Sequence, residues 1–422
     1  MNILKYFFAV SLMLGLGCAK LRSSGSDNGD DDNDRDDSAT QCTLGTSWST
    51  VDTFASNSYA RAKGVAEGPN GELYVVHTAK TQSSPYRSGW VVRKSSDKGA
   101  TWSTIETFVP YSNTGSQEAT GIASDSSGNI YLSGYTEDDS GDNLWTIRKF
   151  SSAGNSWSTV DDFKTGTGFT DALAKSVRIG KDGTVFAAGE TIATSNSKRG
   201  WMIRSSSNNG TTWSTPYTYQ LDSSYNSELF NLVLSPFSDS AGVILGTGGD
   251  SGTSYLWKTG GTNLLSGTSV IDSYRISGGA YAHPHAAVYL DENSILVGGL
   301  ATNASSANYV SVRRSDDGGQ TWNDAYSSTE YSGGYPQAMA LGHDGLLYMG
   351  GYDPASLGWL IQKSAPDTLS FSVSDSFVEG VANDGEMVLD MLSASDGSMY
   401  AVGAVAAPGN QVYSIVRKLS CE

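Results

Sequence analysis

Positive charge is scarce in this chain: 27 Lys and Arg stand against 44 Asp and Glu, for a formal net charge of −17. Part of the acidity lies near the N-terminus, but the remainder is acidic too, which argues against nucleic-acid phosphate as a partner. No Gly-rich phosphate loop falls between a strand and a helix, and no serine sits in a nucleophile elbow. Histidine is rare, 4 in 422 residues, and His283-Pro-His285 is the one close pair. Two imidazoles at that spacing can share a metal with Glu228 or Asp390, but a loop residue beside a strand residue is the simpler reading. No metal or cofactor is expected. Proline is scarce at 10 and glycine abundant at 49, which suits many short strands joined by tight turns. Tyr6–Leu16 is an apolar run, too short to span a bilayer.

That run follows Lys5 and ends in small residues, so 1–17 reads as a secretory signal. Leu14-Gly-Leu-Gly-Cys18 resembles a bacterial lipobox, with Gly15 where that family prefers Leu. The resemblance implies a lipidated Cys18 and a membrane partner. Ala19, in place of Asp, implies an outer-membrane lipoprotein facing the periplasm or the surface. Residues 18–40 hold Ser23–Asp37, which has no apolar side chain to bury and is expected to be a disordered acidic spacer. Its alternating Asp and Asn lack the Gly and distal Glu of a calcium loop.

The remaining 41–422 is repetitive. Ser88–Phe108 reads as strand, turn, strand, and its turn runs Ser95-Ser-Asp97-Lys-Gly99-Ala-Thr-Trp102. Arg204–Ser214 (with Gly210 and Trp213) and Arg314–Asp324 (with Ser315, Asp317, Gly319 and Trp322) repeat it, and Arg148–Thr159 is a degenerate copy. The turn resembles the Asp-box (BNR) motif of sialidases, sortilin-type receptors and related propellers. An earlier half-unit, Ala119–Tyr135, resembles the bacterial β-propeller repeat with its Asp-x-x-Gly-Asn-x-Tyr-x-x-Gly pattern. Together they give four strands per unit, the blade of a propeller. Six units run 57–108, 109–163, 164–219, 220–274, 275–328 and 329–377, the fourth without an Asp-box. A seventh starts at Val378 and lacks its outer strand. Gly45–Phe54 matches Gly99–Phe108 and is expected to supply it. The expected fold is therefore all-β: a seven-bladed β-propeller of four-stranded antiparallel blades, the last closed by the N-terminal strand. Cys42 and Cys421 then fall where the missing turn would be, and are expected to form a disulfide in an oxidising compartment.

Function is less legible. By resemblance to Asp-box propellers, the working loops lie opposite the Asp-box turns: His77–Gly89, Tyr135–Asn143, Glu190–Gly200 and Leu300–Asn308. A sialidase would need an arginine triad and a Tyr/Glu pair. Tyr274-Arg-Ile-Ser277 lacks the proline of the family's first arginine motif and stands in the wrong unit. Arg61, Arg178 and Arg275 lie near inner strands or entry loops, whereas Arg93, Arg148, Arg204, Arg313 and Arg417 recur on the third strand and read as structural. Glu118, Asp171, Glu228 and Asp390 can line the channel mouth. The inter-blade connections supply an aromatic each: Tyr59, Tyr111, Phe169, Tyr225, Tyr281 and Tyr335. With Arg61, Glu118 and His285 they form the candidate ligand-binding set. The expectation is a monomeric, non-catalytic binding module for a protein or glycan. The alternative is an exported glycoside hydrolase of sialidase-like propeller type. A purely architectural envelope protein is a third reading.

Overall fold

The computed structural model describes residues 43–421 apart from 84–85, 111–116, 164–167, 220–225, 251–253, 266, 329–334, 354–357, 379–386 and 410. The signal segment, Cys18, the acidic spacer and Cys42 lie outside the described residues. The chain forms seven four-stranded antiparallel sheets. Blade 1 consists of Ala60–Glu67, Leu73–Ser83, Tyr86–Ser95 and Ser103–Phe108. Blades 2 to 6 repeat that order, the fourth included. Blade 7 takes Met387–Ser393, Met399–Ala407 and Gln411–Cys421 from the C-terminal end and adds Leu44–Phe54 as its outer strand. Leu44 stands opposite Cys421 and Phe54 opposite Ser414. The ring thus has no open end of the kind a linear repeat array exposes.

The Asp-box turns are built from short polar side chains. The Ser95 hydroxyl donates to Asp97 Oδ1 at 2.8 Å and accepts the Gly99 amide at 2.9 Å. The Asp97 carboxylate accepts the Thr101 amide at 2.8 Å and its hydroxyl at 2.6 Å. Trp102 Nε1 then donates to the Gly99 carbonyl at 3.1 Å. Gly99 sits at φ 89°, where a side chain would strain the turn. The Ser315–Trp322 turn has the same bonds, and Asn208 replaces the aspartate in blade 3. Strand direction alternates, so these turns lie on the face opposite the beginnings of the inner strands.

Two devices hold neighbouring blades together. The first is a tryptophan in a glycine slot. Trp90, Trp145, Trp201, Trp257 and Trp359 on third strands are buried. A Cβ added at Gly134, Gly189, Gly246, Gly299 or Gly403 of the following blade would meet that indole at 2.4–3.1 Å. Such a Cβ would also stand 2.0–2.4 Å from an inner-strand carbonyl, so the slot is closed to every larger residue. Losing a buried indole of this kind costs about 3–5 kcal/mol.

The second device is an arginine clamp. Arg93, Arg148, Arg204, Arg313 and Arg417 each bond a carboxylate on the outer strand of the preceding blade: Asp52, Glu106, Asp161, Asp272 and Asp375, at 2.7–2.9 Å. Each guanidinium also lies 3.8–5.0 Å over the aromatic ring two residues further along: Phe54, Phe108, Phe163, Tyr274 and Phe377. The recurrent third-strand arginines are therefore structural. At the other two joints both members change together: Tyr217 faces the Gly260 position, and Tyr326 the Gln362 position. Removing only one partner of a buried ion pair strands the other charge, which costs about 3–5 kcal/mol.

At the closing joint the first device is exchanged as well. Ser414 occupies the tryptophan column and His77 the glycine column, with the imidazole packed on Phe54 at 5.0 Å. Ser414→Trp and His77→Gly each lower stability by about 1–3 kcal/mol, one by overpacking and the other by a cavity. Combined, they recreate the joint used elsewhere, so the double variant loses at least about 1 kcal/mol less than the sum. Urea unfolding of the four proteins measures this, and simple additivity would refute the exchange. A second expectation concerns the turns. Hydrogen bonds from the threonine hydroxyl and amide, and from serine, hold Asp97 and Asp317 down at about 2. Their folded values lie below the unfolded carboxylate value of about 4. The contribution is therefore complete above that value and lost as pH falls through about 2. Carboxyl-detected NMR titration should show those midpoints; ordinary aspartate midpoints would contradict the turn geometry.

Candidate functional site

All seven inner strands carry the same irregularity. Each pairs with its neighbour in register until one extra residue intervenes: Lys63, Thr120, Lys175, Phe230, His285, Gln337 and Leu389. A bulge of this kind re-aims a side chain. Here all seven line one cavity of about 210 Å³. Because every blade contributes, the cavity sits on the axis of the ring. Its wall is uneven: blades 1 to 3 supply Lys63, Thr120 and Lys175, and blades 4 and 5 supply Phe230 and His285.

One layer nearer the mouth, two residues before each bulge, stand Arg61, Glu118, Leu173, Glu228, His283, Tyr335 and Met387. Glu118 accepts hydrogen bonds from Lys63 Nζ at 2.6 Å and from the Tyr135 hydroxyl at 2.7 Å. Burial pushes this carboxyl up, but the Lys63 charge and hydrogen bond, the Tyr135 hydroxyl and Lys175 outweigh it and hold Glu118 below the ordinary value. Burial, and then Glu118 itself, push Tyr135 up. Glu190, opposite Leu173 on the second strand of blade 3, is 1% exposed. One of its oxygens meets Arg199 at 2.7 Å and Lys175 at 3.3 Å, while the other is buried without a hydrogen-bond partner. Glu228 responds to this neighbour. Burial first, and then the Glu190 charge, raise it above the ordinary carboxylate value, against Arg199 and Lys175. Three carboxyl groups from blades 2, 3 and 4 thus share one electrostatic environment, with Glu118 pushed down and Glu228 pushed up.

The cavity is floored by polar groups. Arg178 donates to the Val177 carbonyl at 2.9 Å and to Asn231 Oδ1 at 3.1 Å. Asp390 accepts the amides of Val65 at 3.0 Å and Met391 at 2.9 Å. Burial lowers Arg178 and raises Asp390, and each opposes the other's shift through its charge. Asn231 reaches the His285 carbonyl at 3.3 Å, so blades 3, 4 and 5 are tied together beneath the cavity.

The residues singled out in the sequence fall into distinct groups. Glu118, Glu228, Asp390 and His285 reach the mouth or the cavity. Asp171 is tied instead to the amide and side chain of Asn143 at 3.0 and 2.9 Å. Tyr59 bridges to Val412 with Arg61 5.7 Å over its ring, and Phe169 packs against the buried cluster of Trp145, Ile147 and Ala172 at a blade joint. Tyr281 is 45% exposed. Tyr111 and Tyr225 lie outside the described residues, as does the side chain of Tyr335. Lys63, Lys175 and Phe230 belong to the site without having been singled out, and Tyr135, Glu190 and Arg199 were covered only as parts of the loops Tyr135–Asn143 and Glu190–Gly200. The signal for the lysines was present as Ala62-Lys-Gly64 and Ala174-Lys-Ser176, a small residue on each side of the bulge. Among the described residues, no three His, Cys, Asp or Glu side chains converge as a metal-ligand set.

No family model matches this chain, and no curated protein matches it. Solved structures do. One is a GH93 α-L-arabinofuranosidase of Fusarium graminearum in complex with arabinobiose, with a TM-score of 0.51 at 13% identity, covering 88% of this chain and 98% of that one. Another is a protein of unknown function from Dyadobacter fermentans, with a TM-score of 0.48 at 14% identity, covering 88% and 99%. A third is a Trypanosoma rangeli sialidase, with a TM-score of 0.46 at 12% identity, covering 90% of this chain and 58% of that one. At these identities the likeness is one of fold alone: this chain is a seven-bladed propeller of four-stranded blades, similar in fold to the GH93 arabinofuranosidase structure.

Proposed function

We propose that the channel mouth hydrolyses a glycosidic bond, with Glu228 as proton donor and Glu118 as the ionised carboxylate that acts on the sugar directly or through water. What supports this reading is the placement of the two carboxyl groups one layer above the axial cavity, Glu118 bonded to Lys63 at 2.6 Å and Glu228 half-buried near the charge of Glu190, surroundings that displace them in opposite directions. Such a divergence is how one site holds an acid and a base at the same pH. Glu228 gives its proton to the departing oxygen as the C–O bond breaks. Water supplies the hydroxyl group and, in the end, the proton that restores the acid. Lys63 and Tyr135 hold Glu118 in place. The sialidase variant fits less well. Tyr135 is pushed up, whereas a tyrosine nucleophile must be made easier to ionise. Arg199 is engaged by Glu190 and Arg178 by Asn231, so these arginines do not stand ready as a carboxylate-binding triad.

The proposal extends to location and closure. A lipid on Cys18 would anchor the propeller at the cell envelope. A Cys42–Cys421 disulfide would replace the missing turn of blade 7, a pairing supported by Leu44 standing opposite Cys421. Closing so long a loop is worth about 4–5 kcal/mol in the chain-entropy model. Alkylation without reductant followed by mass spectrometry should leave Cys42 and Cys421 unmodified; labelling of both would refute the bond.

Catalysis is tested with a panel of arabino-, xylo- and gluco-oligosaccharides and the matching aryl glycosides. Wild type should cleave at least one, with activity falling as pH rises through the elevated Glu228 value and falling again when Glu118 protonates below the ordinary carboxylate range. Glu228→Gln should lower kcat by about 10²–10⁴ on oligosaccharides, and far less on aryl glycosides whose leaving groups need no proton. If the whole panel is bound but left intact, the mouth is a glycan-binding site without catalysis.

A further inference from the structure

Four aromatic rings line the side of the mouth facing the lysines. Phe230 lies 5.4 Å from His283 with the rings 20° apart, and 5.2 Å from His285 at 41°. The two imidazoles are 6.2 Å apart, and Tyr281 continues the series at 6.3 Å from His283. The series runs from an exposed rim residue to two bulge residues that line the cavity. Phe230 stands two residues after Glu228, which directly precedes the inner strand Leu229–Leu234, so the series passes close to the proposed proton donor.

The chemistry of these imidazoles limits what they can do. His285 opens onto the cavity yet lies deep beneath the molecular surface. Burial, and then His283, lower it to about 3, and burial lowers His283 as well. Burial thus favours the uncharged form of both, and stacked with Phe230 they make one weakly polar aromatic wall. Among the described residues, the carboxyl groups nearest the rings, Glu228 at the mouth and Asp390 in the cavity floor, are both shifted towards their neutral forms by burial, which does not favour a cation. Hydrogen-bonding groups converge instead on the opposite wall, at Lys63, Thr120 and Lys175. A ligand matched to both walls carries C–H groups on one face and hydroxyl groups on the other, which is the chemistry of a sugar ring.

We propose that Tyr281, His283, Phe230 and His285 form a stacking platform for successive uncharged sugar residues, positioning the chain so that its glycosidic oxygen falls beside Glu228. The inference rests on the carbohydrate reading of the mouth but does not require catalysis. A chain lying on the platform uses Phe230 and His285 for the residue inside the cavity and His283 and Tyr281 for those nearer the rim.

The four histidines of this protein, His77, His283, His285 and His343, make the test direct. Ring C–H signals of ¹³C-histidine-labelled full-length protein are followed while arabino-, xylo- and gluco-oligosaccharides are added, with assignments from single His→Gln variants. The expected result is a saturable shift of His283 and His285 with His77 and His343 unmoved. Phe230→Leu should weaken binding at least tenfold, with an unchanged melting temperature showing that the fold is intact. Shifts without hydrolysis by wild type would uphold the platform and remove the catalytic reading. Hydrolysis with His283 and His285 unmoved at saturating sugar would uphold catalysis and overturn the platform. No shift with any sugar in the panel overturns it as well.

Discussion

Each blade can bury its faces only against the next, and at five of the seven joints one tryptophan set into a glycine slot governs that contact. The indole reaches the neighbouring second strand because that strand has no side chain there, and the carbonyl of the inner strand keeps any from being added. At those joints the distance between blades is therefore set by bare backbone. The arginine clamp acts further out, between the third strand and the preceding outer strand, and uses charge and an aromatic face where the tryptophan uses area. Exposed ion pairs contribute little, but these guanidinium groups are mostly enclosed and held on a ring. Joints that lose the acid lose the arginine as well, which is the arrangement that leaves no buried charge alone.

The same packing produces the site. Once the blades are fixed at a common distance, the inner strands surround a narrow axis where ordinary strand alternation would send side chains into blade joints. The bulge in each inner strand breaks that alternation for one residue and sends it to the axis. A scaffold that repeats with strict geometry thereby presents seven independent choices of side chain at one place. In this protein the choices are segregated, with lysines and a threonine on one side and aromatic rings on the other. Glu118 and Glu228 lie one layer above.

The blades were legible because their signals are local. The Ser-x-Asp-x-Gly-x-Thr-Trp turn of Ser95–Trp102 needs only eight neighbouring residues, and the match of Gly45–Phe54 to Gly99–Phe108 announced the closure. Glu118 and Glu228 were legible as candidates because they precede inner strands. Their relation was not, since it depends on Glu190, which lies on a second strand and enters only once blade 3 is folded. The bulge residues were hidden for a related reason: a slip of one residue reverses which side chains face inward, and the slip is visible only in the pairing with a second strand. Among the rim aromatics, Phe169 shows how the same residue type serves a joint as readily as a ligand.

The way blade 7 is completed has a consequence for biogenesis. Leu44–Phe54 leaves the ribosome before any strand of the blade it completes, and its partner Gln411–Cys421 arrives last. Once that partner has arrived, and until the two strands pair, the molecule carries both an unpaired strand and a sheet edge that fits it. Two incomplete chains held close together can satisfy each other as well as themselves, by exchanging first strands. Dilution, or any device that keeps nascent molecules apart, favours the monomeric ring; crowding of incomplete chains favours linked dimers and longer concatemers. The arrangement that leaves the finished ring without an open end is thus the one that makes its assembly sensitive to company.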